Sequence, residues 1–135
     1  MQEEMLRKYS FEELTEIIRE LRKKCPWDSV QTHESMRECL ENETQEVLEG
    51  IQILTESGDG ANLCEELGDL LMQVLLHSVI AEEEGLFTLE DVISGLAFKM
   101  KFRHPKIFSP ENSKLTALSW KELKQREREI RNKKG

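Results

Sequence analysis

Two acidic pairs hold the most suggestive chemistry in this sequence. Glu43 and Glu46 stand three residues apart in "LENETQEVLEGI", and Glu66 and Asp69 repeat that spacing in "CEELGDLLMQVLLHSVI". The spacing puts both members of a pair on one face of a helix. With 27 Asp and Glu in the chain, such pairs arise readily, and most line a solvated face. The face therefore decides. At about 100° per residue, Met36, Leu40, Val47 and Leu54 fall within about 60° of Glu43, and Glu46 flanks that same apolar side beside Cys39 and Ile53. Glu38, Glu41 and Glu49 project the other way and suit water. On the second segment Glu66, Asp69, Gln73 and His77 form one polar stripe about 80° wide. Leu67, Leu70, Leu71, Met72, Val74, Leu75 and Val79 surround the rest. A helix apolar on most sides is expected to be buried, with its acid stripe towards an interior or a cleft.

Four ionised carboxylates brought into one space repel one another. Either some are protonated or divalent cations sit among them. A donor set of hard oxygens with no soft ligand points to Mg²⁺, with Mn²⁺ as a substitute. Di-iron bundles place His three residues after Glu. Here His33, His77 and His104 follow Val30, Val74 and Lys101 at that distance, which argues against iron. Neither HExxH nor a Cys/His cluster is present to support zinc.

The elements that must position these groups read as helices. Ser10 and Glu13 form a capping box for a helix from about Ser10 to Lys24, with Phe11, Leu14, Ile17, Ile18 and Leu21 as its apolar stripe. Pro26 ends it, and "CPWDSVQT" connects to a second helix from about Thr32–Ser35 to Thr55. "SGDG" breaks that helix, Asn62 with Glu65 resembles the cap of a third running to about Glu83, and the short link predicts antiparallel neighbours. Gly85 fits a helix stop, "TLED" starts a fourth helix to about Arg103, "HPKIFSPENSKL" reads as irregular, and Ser119 with Glu122 caps a last charged helix. The expectation is an all-α, four-helix-bundle-like fold with an additional C-terminal helix, in a single domain of 135 residues.

A net charge of −8 argues against a general nucleic-acid surface. The three cysteines, Cys25, Cys39 and Cys64, are odd in number and lack CxxC spacing, which suggests reduced thiols and a cytoplasmic protein. They read as small core residues. No apolar run has spanning length, and "MQEEMLRKYS" does not read as a signal peptide; no membrane association is expected. "KMKFRHPK" by itself fits a solvated helix end, where cations suit the macrodipole.

"CPWDSVQTHESM", "ENETQEVLEGI", "CEELGDLLMQVLLHSVIAEEEGLF" and "KFRHPKIF" resemble the MazG family of nucleoside triphosphate pyrophosphohydrolases, over a core of about residues 21–120. The family signature is Glu-x-x-Glu, a spacer, then Glu-x-x-Asp, and Glu43, Glu46, Glu66 and Asp69 satisfy it. The resemblance implies an all-α fold completed by dimerisation, and Mg²⁺-dependent hydrolysis of a nucleoside triphosphate between the α and β phosphates. It implies that the four acids are catalytic and hold the metal, and that Lys99 and Arg103 contact the triphosphate, with Trp120 near the nucleotide. Many members have Glu-Glu where this chain has Asn42-Glu43. A non-catalytic module that keeps the fold, for nucleotide sensing or protein interaction, is the alternative.

Overall fold

The computed structural model describes residues 1–134, and every regular element among them is helical. They are α1 (Gln2–Leu6), α2 (Phe11–Lys24), α3 (Arg37–Ser57), α4 (Ala61–Glu83), α5 (Leu89–Arg103), α6 (Pro105–Phe108) and α7 (Trp120–Lys134), with 3₁₀ turns at Asp28–Val30 and Lys114–Ala117. The all-α expectation holds. None of these helices is long and apolar enough to cross a membrane. The chain divides into two compact units, Met1–Leu89 and the part from Glu90 onward.

In the first unit α4 is the central element. It packs along α3, and its C-terminal half meets α2. The core is built from Ile18 of α2, Met36, and Leu75, Leu76, Val79 and Ile80 of α4, closed by Leu89. Ser10 caps α2 as expected: its hydroxyl accepts from the Glu13 N–H, and the Glu13 carboxylate accepts from the Ser10 N–H. Of the predicted α2 stripe, Ile18 is buried and Leu14 half-buried, whereas Phe11, Ile17 and Leu21 stay exposed. Arg22 organises the connector. Its guanidinium donates to the Glu83 carboxylate at 2.8 and 3.1 Å and to the carbonyls of Asp28 and Gln31 at 2.7 and 2.8 Å. Arg19 pairs likewise with Glu82, whose carboxylate also accepts the Leu89 N–H.

Several boundaries differ from expectation for local reasons. α3 starts at Arg37, because Thr32 and Ser35 exchange side-chain-to-backbone hydrogen bonds in a turn just before it. It ends at Gly58, whose φ of 78° lies in the left-handed region that suits glycine. The N-terminus of α4 is served by Asp59, which accepts the Ala61 N–H at 2.9 Å, and not by Asn62. α4 is expected to be buried on most sides, but its buried residues all lie from Gln73 to Ala81, and Leu67, Leu71 and Val74 are exposed. Part of the segment read as irregular forms α6, with Pro105 at its first position, where the missing N–H costs nothing.

From Glu90 onward, the rest of α5, then α6, the 3₁₀ turn and α7, make the second unit. Ser119 and Glu122 form the predicted capping box of α7. Among its described residues, Leu123 and Glu127 are buried.

A carboxylate cluster between α3 and α4

Gly50 sets how closely α3 can approach α4. A β-carbon there would lie 3.0 Å from the Leu63 α-carbon and 3.0 Å from Asn62 Oδ1. Glycine removes that obstacle, so the two helices run close where their acidic residues face each other. One oxygen from each of Glu43, Glu46, Glu66 and Asp69 lies within 4.8 Å of all the others. The structure therefore assembles the four acids that the face assignment selected, and leaves Glu38, Glu41 and Glu49 exposed.

The electrostatics of the cluster are unfavourable without a counter-charge. Glu43 Oε2 and Glu66 Oε2 are buried and receive no hydrogen bond among the described residues. The Glu66 carboxyl is pushed up to about 7, first by a hydrogen bond with Glu46, then by desolvation and the charges of Glu46 and Asp69. Glu43 is raised as well, mainly by desolvation and then by Glu46 and Asp69. Glu46 and Asp69 are exposed, so the cluster opens to solvent on their side. Hard oxygen donors, buried acceptors lacking donors and mutual repulsion together fit a divalent cation.

α4 continues its polar stripe beyond the acids. Gln73 is buried with Oε1 unpartnered, and His77 stacks on His33 with Nδ1 to Nδ1 at 2.8 Å. One imidazole must carry the proton of that contact. Burial, and then His33, hold His77 below the ordinary imidazole range. His77 is thus a half-buried histidine hydrogen-bonded to His33.

The other predicted site residues belong to the second unit. Lys99 is half-buried on α5, and Arg103 lies one turn later. Arg103 and Trp120 are brought together, the guanidinium lying 5.8 Å from the indole centroid. His104 also meets Trp120, with ring centroids 5.4 Å apart. These residues, with Ile107 and Leu118, line a cleft of ≈ 400 Å³. Glu127 was missed by the sequence reading. It is fully buried and pairs with Arg103 and Arg131. The available signal was its place on the Trp120–Leu123 face of α7, seven residues after Trp120.

Residues 31–108 match the family described as MazG nucleotide pyrophosphohydrolase domain. The chain belongs to the MazG family. Among its relatives, the uncharacterized protein YabN of Bacillus subtilis (strain 168) is 42% identical over 135 residues, 95% of this chain and 26% of that protein. The nucleoside triphosphate pyrophosphohydrolase/pyrophosphatase MazG of Thermotoga maritima is 42% identical over 120 residues, 87% of this chain and 45% of the relative. The nucleoside triphosphate pyrophosphohydrolase of Escherichia coli (strain K12) is 38% identical over 107 residues, 77% of this chain and 39% of the relative. This MazG chain thus spans between 26% and 45% of the length of these relatives. Both carboxylate pairs lie within the matched region, as do Lys99 and Arg103; Trp120 and Glu127 lie beyond it.

Proposed function

We propose that this MazG chain is a Mg²⁺-dependent nucleoside triphosphate pyrophosphohydrolase, cleaving between the α and β phosphates to release a monophosphate and pyrophosphate. The observation that carries the reading is the cluster of Glu43, Glu46, Glu66 and Asp69, with buried oxygens that receive no hydrogen bond among the described residues. Two relatives named as nucleoside triphosphate pyrophosphohydrolases support the substrate class.

In this reading the four carboxylates hold the cation. When bound, Mg²⁺, or Mn²⁺ in its place, would neutralise phosphate charge and make an attacking water more acidic. Glu46 is exposed beside the half-buried Glu43 and Glu66, where it can reach a water and accept its proton. Lys99 and Arg103 are assigned to the triphosphate, where a guanidinium can bind two oxygens of one phosphate. Trp120 offers the nucleotide an apolar face beside Arg103. Exposed leucines and valine on α4 support a homodimer, and the free cysteines suit a reducing cytoplasm.

The test incubates the full chain with a panel of nucleoside triphosphates and Mg²⁺ and measures pyrophosphate. Wild type is expected to release it, and Glu66→Gln or Asp69→Asn to lose on the order of 100-fold or more. Full turnover in either variant would sink the site assignment. Nucleotide-dependent stabilisation without any turnover would favour a sensing module instead.

A further inference from the structure

We propose that Glu127 is a positioning residue that fixes the Arg103 guanidinium for phosphate without neutralising it. The inference rests on the reading that Arg103 contacts the triphosphate.

Glu127 is 0% exposed, and its described charge partners are arginines. Arg103 Nη2 lies 3.4 Å from Oε1, on a side chain only 10% exposed. Arg131, one helical turn along α7, pairs with the same oxygen. Oε2 receives no hydrogen bond among the described residues. A buried carboxylate needs compensation, and here two cations share it. The Arg103–Glu127–Arg131 group therefore carries a net charge of +1 by simple addition, which leaves it attractive to an anion.

Geometry completes the case. A guanidinium has five N–H donors in a rigid fork, and Glu127 engages Arg103 through Nη2. The guanidinium carbon lies 5.8 Å from the Trp120 ring centroid, within cation–π reach. Arg103 Nε is buried and has no hydrogen-bond partner among the described residues. Engaged by Glu127 through Nη2 alone, and with the indole beside it, the fork keeps donors in reserve for a ligand. An oriented arginine loses less conformational freedom when a phosphate binds.

The experiment uses the full chain with a nonhydrolysable α,β-methylene nucleoside triphosphate and Mg²⁺, measuring affinity by calorimetry, alongside kcat/KM for the substrate. Arg103→Ala is expected to weaken binding about tenfold or more. Glu127→Ala should weaken it comparably, and the double variant should bind no worse than Arg103→Ala alone. Glu127→Gln keeps the shape and an acceptor for Nη2, so it should recover part of the loss at an unchanged far-ultraviolet spectrum. Glu127 variants with wild-type affinity, or additive losses in the double variant, would overturn the positioning role while leaving Arg103 as a phosphate contact. Wild-type affinity in Arg103→Ala, or no binding by the wild type, would overturn the underlying reading and this inference with it.

Discussion

Glu66 binds its proton up to about pH 7 in the folded chain, against an ordinary value of 4.5. A carboxyl whose folded pKa is raised stabilises the fold below its ordinary pKa, and that contribution is lost as pH rises through the folded value. Without metal, the cluster therefore weakens the protein between about pH 4.5 and 7, and the penalty is complete above that window. Glu66→Gln removes the charge that causes it. In EDTA the variant should melt above wild type at pH 8 and close to it at pH 5. Saturating Mg²⁺ should reverse the order at pH 8, because only the wild type keeps the full ligand set. Thermal melts of both proteins in the two buffers check this, and equal melting temperatures at pH 8 in EDTA would count against the repulsion. The four acids were legible before any coordinates, because an acidic residue among apolar neighbours on a wheel has few places to go. Glu127 was harder to read: in "KQREREIRNKK" its place on the Trp120–Leu123 face is the one signal, and that signal gains meaning only once the face is known to be covered.

The close approach of α3 and α4 is the property that makes the cluster, and Gly50 is its controlling residue. Two effects oppose each other in Gly50→Ala. Alanine gains about 1 kcal/mol of helix propensity. Inserting a methyl into a packed contact costs about 1–3 kcal/mol. Because the atoms met at 3.0 Å include the Leu63 backbone and not just a yielding side-chain tip, overpacking should win. The variant is expected to lose up to about 2 kcal/mol in denaturant unfolding. It should also bind Mg²⁺ more weakly, since Glu46 lies one turn from position 50. Gly68→Ala is the control: nothing lies within 4 Å of a β-carbon there, so the propensity gain stands alone and the fold should be stabilised by up to about 1 kcal/mol. The pairing of these helices was readable from two long periodic segments joined by "SGDG". What covers them was not. A wheel reports that α4 is apolar on most sides, yet the described chain covers only its C-terminal half. Short α1 and α6 lack the length for a periodic signal, so neither was foreseen.

At the scale of the whole molecule, Leu67, Leu71 and Val74 form an exposed stripe on α4 at i, i+4 and i+7, and Leu48 and Ile51 are exposed on α3. Large apolar side chains exposed at helical spacing on one face are a common mark of a surface that associates. A second copy of the chain is the occupant proposed for it, through a two-fold contact in which the same patch meets itself. If association covers the stripe, the fold gains stability by mass action, and the melting temperature must rise with protein concentration. Leu71→Glu separates assembly from folding. The residue is 37% exposed in the single chain, so a charge at its tip keeps access to water within one protomer. In the dimer the same charge would be forced against apolar surface without a partner, a burial that costs several kcal/mol. Light scattering should therefore give twice the 15.8 kDa chain mass for wild type and the single-chain mass for Leu71→Glu. The variant should keep its helical spectrum while its melting temperature loses the concentration dependence. A wild-type monomer at micromolar concentration, or a Leu71→Glu dimer, would place the partner of this stripe elsewhere.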